Sequence, residues 1–247
     1  MPMHQTTDLD SLLARLAATY PVAFEPVTLD GLTLEVLQIN DLNAYLDRML
    51  QQAGAQPPTA QLPQFPQLPL FAKLWSGAMM LGYVVKRMPL PPETRVLELG
   101  AGVGLCGMVA AARGLQTVLA DADPQALGFL QAGVLKNNLA QTARVVPLDG
   151  GFDAAPDRHD LILAVEPDLD PESIRSLGKR LVRRLAPTAT AQCLLAFNYG
   201  RNVKKLMTVL EKDFHIQQQV VGAKAGEALE DKRLVAIYRC TPRKIVS

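Results

Sequence analysis

The stretch that decides the fold is Arg95-Val-Leu-Glu-Leu-Gly-Ala-Gly-Val-Gly-Leu-Cys-Gly107. It begins as a short apolar strand, breaks into closely spaced glycines and continues into a helical pattern. Three glycines within five positions tolerate positive φ angles and let a ligand approach the backbone closely. We therefore interpret this run as a strand, loop and helix that hold a nucleotide-like ligand.

The same glycines leave two ligand classes to consider. Gly102, Gly104 and Gly107 fit the spacing GxGxxG, and Asp121 follows about twenty residues later, as in dinucleotide-binding oxidoreductases. Glu98 points elsewhere, because a carboxylate at the end of the first strand would repel a pyrophosphate bound at the helix N-terminus. S-adenosyl-L-methionine carries no phosphate and bears an ammonium and a sulfonium group. Glu98 thus favours this cationic cofactor, and the oxidoreductase remains an alternative.

The run Glu98-Leu-Gly-Ala-Gly-Val-Gly104 resembles the first motif of the class I methyltransferases, an acid followed by GxGxG. That resemblance implies an α/β fold with a Rossmann-like, doubly wound, seven-stranded sheet that is mostly parallel and ends in an antiparallel hairpin. It also implies S-adenosyl-L-methionine as the cofactor. The residues implied to contact it in this loop are Glu98, Gly100, Gly102 and Gly104.

Further acids follow the next two strands in the order that this family has. Asp121 ends the second strand where the family places the carboxylate for the ribose hydroxyls, and Asp123 stands two positions later. Asp149, followed by Gly150, ends the third strand where the family has the acceptor for the adenine amino group. The resemblance therefore adds Asp121, Asp149 and Gly150 to the expected cofactor contacts.

The flanking segments resemble one branch of that class, the seven-β-strand protein-lysine methyltransferases. The segment Phe71-Ala-Lys-Leu-Trp-Ser-Gly-Ala-Met-Met-Leu-Gly-Tyr83 resembles their entry helix, in which a tryptophan such as Trp75 helps to enclose the cofactor. Their Asp-x-x-Tyr motif after the fourth strand corresponds to Glu166-Pro-Asp-Leu169. The carboxylate is kept as Glu166, whereas the tyrosine is replaced by Leu169.

This resemblance implies methyl transfer to the side-chain amine of a protein lysine. Glu166 is expected to align the amine, and Asp168 is expected to attract the incoming cation; both are our candidate catalytic residues. Because Leu169 departs from the motif, two alternatives stay open. One is a methyltransferase for a small amine or guanidine compound, and the other is a module that binds the cofactor without catalysis.

Patterns along the chain predict three regions. Residues 1–50 read as an N-terminal helix and a β-hairpin around Asp30-Gly31, and residues 51–70 as a linker or lid rich in proline and glutamine. Residues 71–247 form the expected methyltransferase domain, entered by a helix over 71–88.

Within this domain, short apolar strands alternate with helices, which predicts a parallel sheet. The predicted strands lie near 94–99, 116–120, 143–148, 160–165 and 191–197. Strands near 214–221 and 233–239 are too closely connected for a crossover helix and should pair as an antiparallel hairpin.

Composition limits the partners. Among 247 residues, 49% are hydrophobic and 25 Lys and Arg face 24 Asp and Glu, so the net charge of +1 gives no field that attracts nucleic acid or lipid. The sequence has no apolar run long enough for a membrane span and no secretory signal, so we expect a cytoplasmic protein without nucleic-acid or membrane partners.

The cysteines and histidines are scattered along the sequence, which predicts no metal site. The basic helix positions Lys179, Arg180, Arg183 and Arg184 are expected to be a solvated face, and the oligomeric state is left open.

Overall fold

The computed structural model describes residues 8–54, 69–154, 157–224 and 232–244. The helices are α1 (Leu9–Ala17), α2 (Leu42–Gly54), α3 (Ser76–Arg87), α4 (Leu105–Ala112), α5 (Pro124–Lys136), α6 (Gly150–Ala154), α7 (Pro171–Arg184) and α8 (Lys204–Leu210). The strands are β1 (Val22–Leu29), β2 (Leu32–Ile39), β3 (Arg95–Leu99), β4 (Gln116–Asp121), β5 (Ala143–Pro147), β6 (Leu161–Val165), β7 (Gln192–Asn198), β8 (Phe214–Lys224) and β9 (Lys232–Pro242). Within these residues, no helix is long and apolar enough to cross a bilayer.

A seven-stranded sheet organises the chain, in the order β5-β4-β3-β6-β7-β9-β8. The first five strands in this order run parallel, and β9 runs antiparallel to both of its neighbours. This confirms the predicted doubly wound sheet and its C-terminal hairpin. The chain winds outward in one direction from β3 to β5 and in the other from β6 onward. Neighbouring strands β3 and β6 therefore frame the switch point, where open α/β sheets bind ligands.

Two apolar cores cover the two faces of the sheet. Helices α3, α4 and α5 pack on one face through a core that includes Leu81, Val109 and Leu130. Helices α7 and α8 pack on the other face, where Leu181 and Leu206 are fully buried. Because both faces are covered, the central strands are apolar on both sides, as the continuous run in β6 shows.

The N-terminal extension joins the first of these faces. The β1-β2 hairpin turns at Asp30 and Gly31, both with positive φ, as the sequence predicts. Helix α3 approaches the hairpin so closely that a Cβ built at Gly82 would lie 3.0 Å from a methyl group of Leu29. Asn137 at the end of α5 bonds to the backbone N–H and C=O of Glu35. Most of the proposed linker or lid over 51–70 lies outside the described residues.

Two expectations about helices need correction. The helix predicted over 71–88 begins only at Ser76, because the preceding residues form a 3-10 turn and Trp75 is extended. The chain is bent here so that the Phe71 carbonyl lies against the glycine loop. In the basic helix, Arg184 is not solvated: it is 3% exposed, and its guanidinium lies 4.1 Å above the ring of Phe152.

Candidate active site

A cleft of about 790 Å³ opens at the carboxyl ends of β3, β4 and β6. It lies at the switch point between β3 and β6, and its volume is within the range of about 300–1,000 Å³ common for small-molecule sites. Residues from several separated segments line it. They include Trp75, Glu98, Gly100, Gly102, Asp121 and Glu166.

The glycine loop makes one wall of the cleft. Gly100 has φ +63°, and a Cβ there would meet nothing within 4 Å, so its free side faces open space. Gly102 has φ +56°, and a Cβ would lie 2.9 Å from the Phe71 carbonyl oxygen. Gly104 has φ +76° and is different, since its Cβ would collide with Leu130 in α5. Gly100 and Gly102 therefore shape the cleft wall, while Gly104 allows the close packing of α4 on α5.

Glu98 is a buried acid at the base of the cleft. Its side chain turns toward α4, where Oε2 accepts a hydrogen bond of 2.7 Å from the Gly107 N–H. Burial raises the pKa of Glu98 to about 8, against the lowering effect of that hydrogen bond. The carboxyl group is thus largely protonated at neutral pH, and a cation bound nearby would favour its ionised form.

Of the two acids after β4, only Asp121 lines the cleft. Its carboxylate accepts hydrogen bonds from the N–H groups of Gly102, at 2.8 Å, and Asp123, at 2.9 Å. Burial is the main reason that the pKa of Asp121 is raised, and these hydrogen bonds oppose it. Asp123 instead caps α5 through the Gln125 N–H. The structure thereby separates a cleft-facing carboxylate from a helix cap two residues away.

The predicted adenine contacts lie outside the cleft wall. Leu148 lines the cleft, but Asp149 and Gly150, which follow it, do not. The Asp149 carboxylate accepts a hydrogen bond of 3.0 Å from Phe152 N–H and so caps the short helix α6. An adenine contact by Asp149 remains a prediction.

Glu166, which is expected to align the amine, has both carboxylate oxygens engaged by the protein itself. One of its oxygens accepts a hydrogen bond from the Asn198 N–H and the other from the Arg201 guanidinium. Its side chain is only 9% exposed, and its backbone has φ +48°, a strained conformation for a residue with a Cβ. Arg201 balances the charge of Glu166, and the pair joins the loop after β6 to the residues after β7. Alignment of the amine by Glu166 remains a prediction.

The mouth of the cleft combines acids with an aromatic ring. Asp168 lines it, is exposed, and has no ion pair or hydrogen bond with the residues that the structure describes. Trp75 also lines the cleft, and the Lys73 ammonium lies 4.3 Å from its ring centroid. Leu169, at the position of the missing tyrosine, packs instead against the core beneath α7. An ammonium group already rests on Trp75, which shows that the ring can accept a cation.

Sequence reasoning missed three contributors to this site. Lys73 lies two positions before the predicted contact Trp75, Asn198 is the last residue of β7, and Arg201 follows that strand. Asn198 and Arg201 could have been found from their position, because the carboxyl ends of the neighbouring parallel strands β6 and β7 lie at the same edge of the sheet. No residue pattern indicated that Arg201 would pair with Glu166, since they are 35 positions apart.

The cleft fits S-adenosyl-L-methionine on its own geometry. Backbone without side chains faces the open space at Gly100, and a carboxylate lines the wall at Asp121. A buried acid lies at the base, close enough to respond to a cationic group. A pyrophosphate bound against this wall would be repelled by the Asp121 carboxylate.

Comparisons with known proteins also indicate a methyltransferase. A sequence model for lysine methyltransferases matches residues 71–213. Protein N-lysine methyltransferase METTL21A of Danio rerio is 29% identical over 185 residues, which cover 72% of this chain and 80% of the relative.

Solved structures share the fold. The precorrin-6Y C5,15-methyltransferase of Geobacter metallireducens has a TM-score of 0.53 and 19% identity, covering 68% of this chain and 92% of its own. The 16S rRNA N2 G1207 methyltransferase of T. thermophilus, solved with AdoMet and guanosine, has a TM-score of 0.59 and 18% identity, covering 90% and 51%. With its sheet, cleft and family match together, the chain belongs to the lysine methyltransferase family and is an S-adenosyl-L-methionine-dependent methyltransferase.

Proposed function

We propose that the methyl acceptor is the side-chain amine of a lysine in a protein, delivered to the cleft beside Asp168. The observation that carries this proposal is the exposed Asp168 carboxylate at the mouth, which has no ion pair or hydrogen bond within the described part of the chain. A lysine approaches as an ammonium ion, which an exposed carboxylate attracts. The METTL21A relative, a protein N-lysine methyltransferase, supports the same acceptor.

The residues at the mouth would bring the amine into position in two ways. Asp168 attracts the ammonium form, and the neighbouring carboxylates of Asp170 and Glu172 at the mouth strengthen that attraction. Deeper in the cleft, apolar surroundings such as Leu99 and Val165 disfavour the charged form, so the proton passes back to water at the mouth. The neutral nitrogen then has a lone pair available for attack.

The bound cofactor supplies an electrophilic methyl group on a sulfonium. Attack by the neutral amine nitrogen would form the N–C bond as the S–C bond broke, leaving that bond's electron pair on sulfur and the positive charge on the methylated amine. Because positioning of the two reacting atoms supplies much of such catalysis, the chain's main task is orientation. We assign Gly100 and Gly102 to close backbone contact, Asp121 to the ribose hydroxyls, and Glu98 to the cationic part of the cofactor.

A labelling experiment tests the acceptor. Tritiated cofactor is incubated with the enzyme and a whole-cell protein extract, and the labelled proteins are hydrolysed to identify methylated lysine. Asp168→Asn should raise KM for the protein acceptor about fivefold with kcat little changed, since it removes long-range attraction. Asp47→Asn, at an exposed position of α2 away from the cleft, is the matched control. Labelled small amines without labelled protein would overturn the proposal in favour of a small-molecule methyltransferase.

We also propose that the enzyme works in the cytoplasm. Its three cysteines, Cys106, Cys193 and Cys240, are free and buried. Cys193 and Cys240 are direct partners in the β7-β9 register, so an oxidising compartment would favour a disulfide between them, whereas a reducing one keeps both thiols. Fractionation of cells that produce the tagged protein tests this, and recovery outside the cytoplasmic fraction would contradict it.

A further inference from the structure

Helix α7 carries a stripe of positive charge that the methyl-transfer site does not use. Arg175, Lys179 and Arg183 recur every four residues, and all three are exposed. At about 100° per residue, the three side chains fall within a sector of about 80° and span about 12 Å along the helix. Among the described residues, none of the three forms an ion pair or a side-chain hydrogen bond.

We infer that this stripe, called here the α7 stripe, docks an acidic segment of the polypeptide that carries the target lysine. The inference rests on the proposed function and names a feature of its substrate. Like charges repel when they are close, so three unpaired cations on one helix face have a cost that an acidic partner would relieve.

Beyond its far end the α7 stripe continues into a groove of about 330 Å³. The floor of the groove includes apolar residues such as Leu185 and Phe214, and its rim carries four more cations: Arg158, Lys212, Arg243 and Lys244. One acid, Asp213, lies among them. In a chain with net charge +1, the α7 stripe and the groove, which share Arg183, thus bring seven cations into one continuous region. Such segregation gives a local field that the total charge conceals.

The near end of helix α7 reaches the cleft. Asp170 caps the helix, and both Asp170 and Glu172 line the mouth beside Asp168. One side of the molecule therefore has an acidic entrance followed by a basic track. A lysine in the entrance and acids along the track would match both charges at once. A basic segment, in contrast, would be repelled by the cations of the α7 stripe.

Distances along α7 give the expected spacing. Arg175 is five residues from Asp170, about 7.5 Å along the helix, and Arg183 is thirteen residues away, about 20 Å. An extended peptide covers about 3.3 Å per residue. Acidic residues should therefore lie about two to six positions from the target lysine, on one side of it.

A polypeptide fits the α7 stripe better than a nucleic acid. Single-stranded nucleic acids combine phosphate contacts with stacking of bases on aromatic side chains. Between Arg175 and Arg183 helix α7 has no aromatic residue, and the acids at the mouth would repel a phosphate backbone that continued toward the cleft.

Binding of labelled peptides tests the inference without requiring turnover. Three fluorescein-labelled peptides share a central lysine and carry four glutamates on its N-terminal side, four on its C-terminal side, or four glutamines. Anisotropy should show at least tenfold tighter binding for one of the acidic peptides than for the glutamine peptide. Its affinity should fall steeply as salt rises from 50 to 300 mM, as expected for exposed charges.

Charge reversal locates the site. The variant Arg175→Glu/Lys179→Glu/Arg183→Glu should lose that preference. The control Arg15→Glu/Arg48→Glu/Lys86→Glu makes the same change in net charge on α1, α2 and α3, which lie on the other side of the sheet, and should keep it. Circular dichroism and cofactor titration show that both variants are folded. Equal binding of all peptides, an unaffected triple variant, or tighter binding of single-stranded RNA than of peptide would overturn the inference.

Methylation of the same peptides separates this inference from the proposed function. If lysine is methylated but acidic flanks do not lower KM, the α7 stripe has no docking role while the proposed function stands. If acidic peptides bind through the α7 stripe and no lysine peptide or protein is ever methylated, the docking surface is real and the acceptor is wrong.

Discussion

The Glu166 carboxylate is paired with the Arg201 guanidinium, so the loop after β6 is fastened to the loop after β7. The pair is partly shielded, with side-chain exposures of 9% for Glu166 and 32% for Arg201. The positive φ of Glu166 costs about 1 kcal/mol or more, and the surrounding contacts must hold it. The loop that carries Asp168 therefore takes its position from an ion pair next to the acceptor mouth.

Removing either partner should slow turnover through the position of that loop. We predict that Arg201→Met and Glu166→Gln each lower kcat about tenfold, change cofactor affinity less than twofold, and are non-additive when combined. Arg95→Met, which breaks the exposed pair between Arg95 and Asp160, is the control and should leave kcat unchanged. If Glu166→Gln abolishes turnover while Arg201→Met has no effect, Glu166 acts directly on the amine.

Substitution of Asp121 should affect cofactor affinity, whereas substitution of Asp123 should affect the free energy of unfolding. Asp121→Ala should weaken cofactor binding tenfold or more in calorimetry, since a hydrogen bond to a charged group contributes about 1.5–3 kcal/mol. Asp123→Ala removes only the cap of α5, so it should lower the free energy of unfolding by about 1 kcal/mol and leave affinity intact. Unchanged affinity in both variants and in the double variant would refute the ribose assignment.

Cofactor binding should release a proton from Glu98. In the free enzyme the pKa of Glu98 is about 8, because burial disfavours its charge, so the group is protonated at pH 7. A bound cation lowers that pKa, and affinity should therefore rise with pH up to about 8 and then level off. Calorimetry in buffers of different ionisation enthalpy measures the released proton.

Two variants isolate this effect from titration of the cofactor's own amine. Glu98→Gln should lose the released proton, whereas Glu93→Gln, at an exposed position before β3, should retain it. An identical proton count in wild type and Glu98→Gln would show that Glu98 does not sense the cofactor.

A methyl group at Gly100 should block the cleft. Gly100→Ala and Gly31→Ala place a Cβ at positive φ with nothing within 4 Å, so each should lower the free energy of unfolding by about 1–2 kcal/mol. Only Gly100 lines the cleft, so only its variant should also weaken cofactor binding, by at least tenfold. Thermal unfolding with and without cofactor measures both effects; equal stabilisation of the two variants by cofactor would contradict the assignment.

The sheet was predictable because its information is local. Alternating strands and helices, the turn at Asp30-Gly31 and the short C-terminal connection each specify their own geometry. The start of α3 was not predictable in this way. Apolar periodicity continues through Phe71, but the chain is bent before Ser76, where the Phe71 carbonyl lies against Gly102 of the glycine loop, 31 positions later.

For the site, the sequence placed acids at the right strand ends and could not orient their side chains. Asp121 lines the cleft, whereas Asp149, at the equivalent end of β5, caps a helix. Both arrangements satisfy a carboxylate, and the choice depends on the backbone N–H groups nearby. The partner of Glu166 lay beyond sequence reasoning for the same reason, since pairing across neighbouring strands is set by the sheet.

The bond between Asn137 and Glu35 has a consequence for how the chain acquires its fold. These residues are 102 positions apart, and the Asn137 carboxamide pairs with both backbone groups of Glu35 at 2.8 Å, much as an adjoining strand would. On the ribosome the hairpin is made first, yet the helix it fastens to emerges only after the glycine loop has been synthesised. The nascent N-terminal segment must therefore wait for its partner, and such long-range closure slows folding. We therefore expect the part of the chain that folds cooperatively to be larger than the part that holds the cofactor.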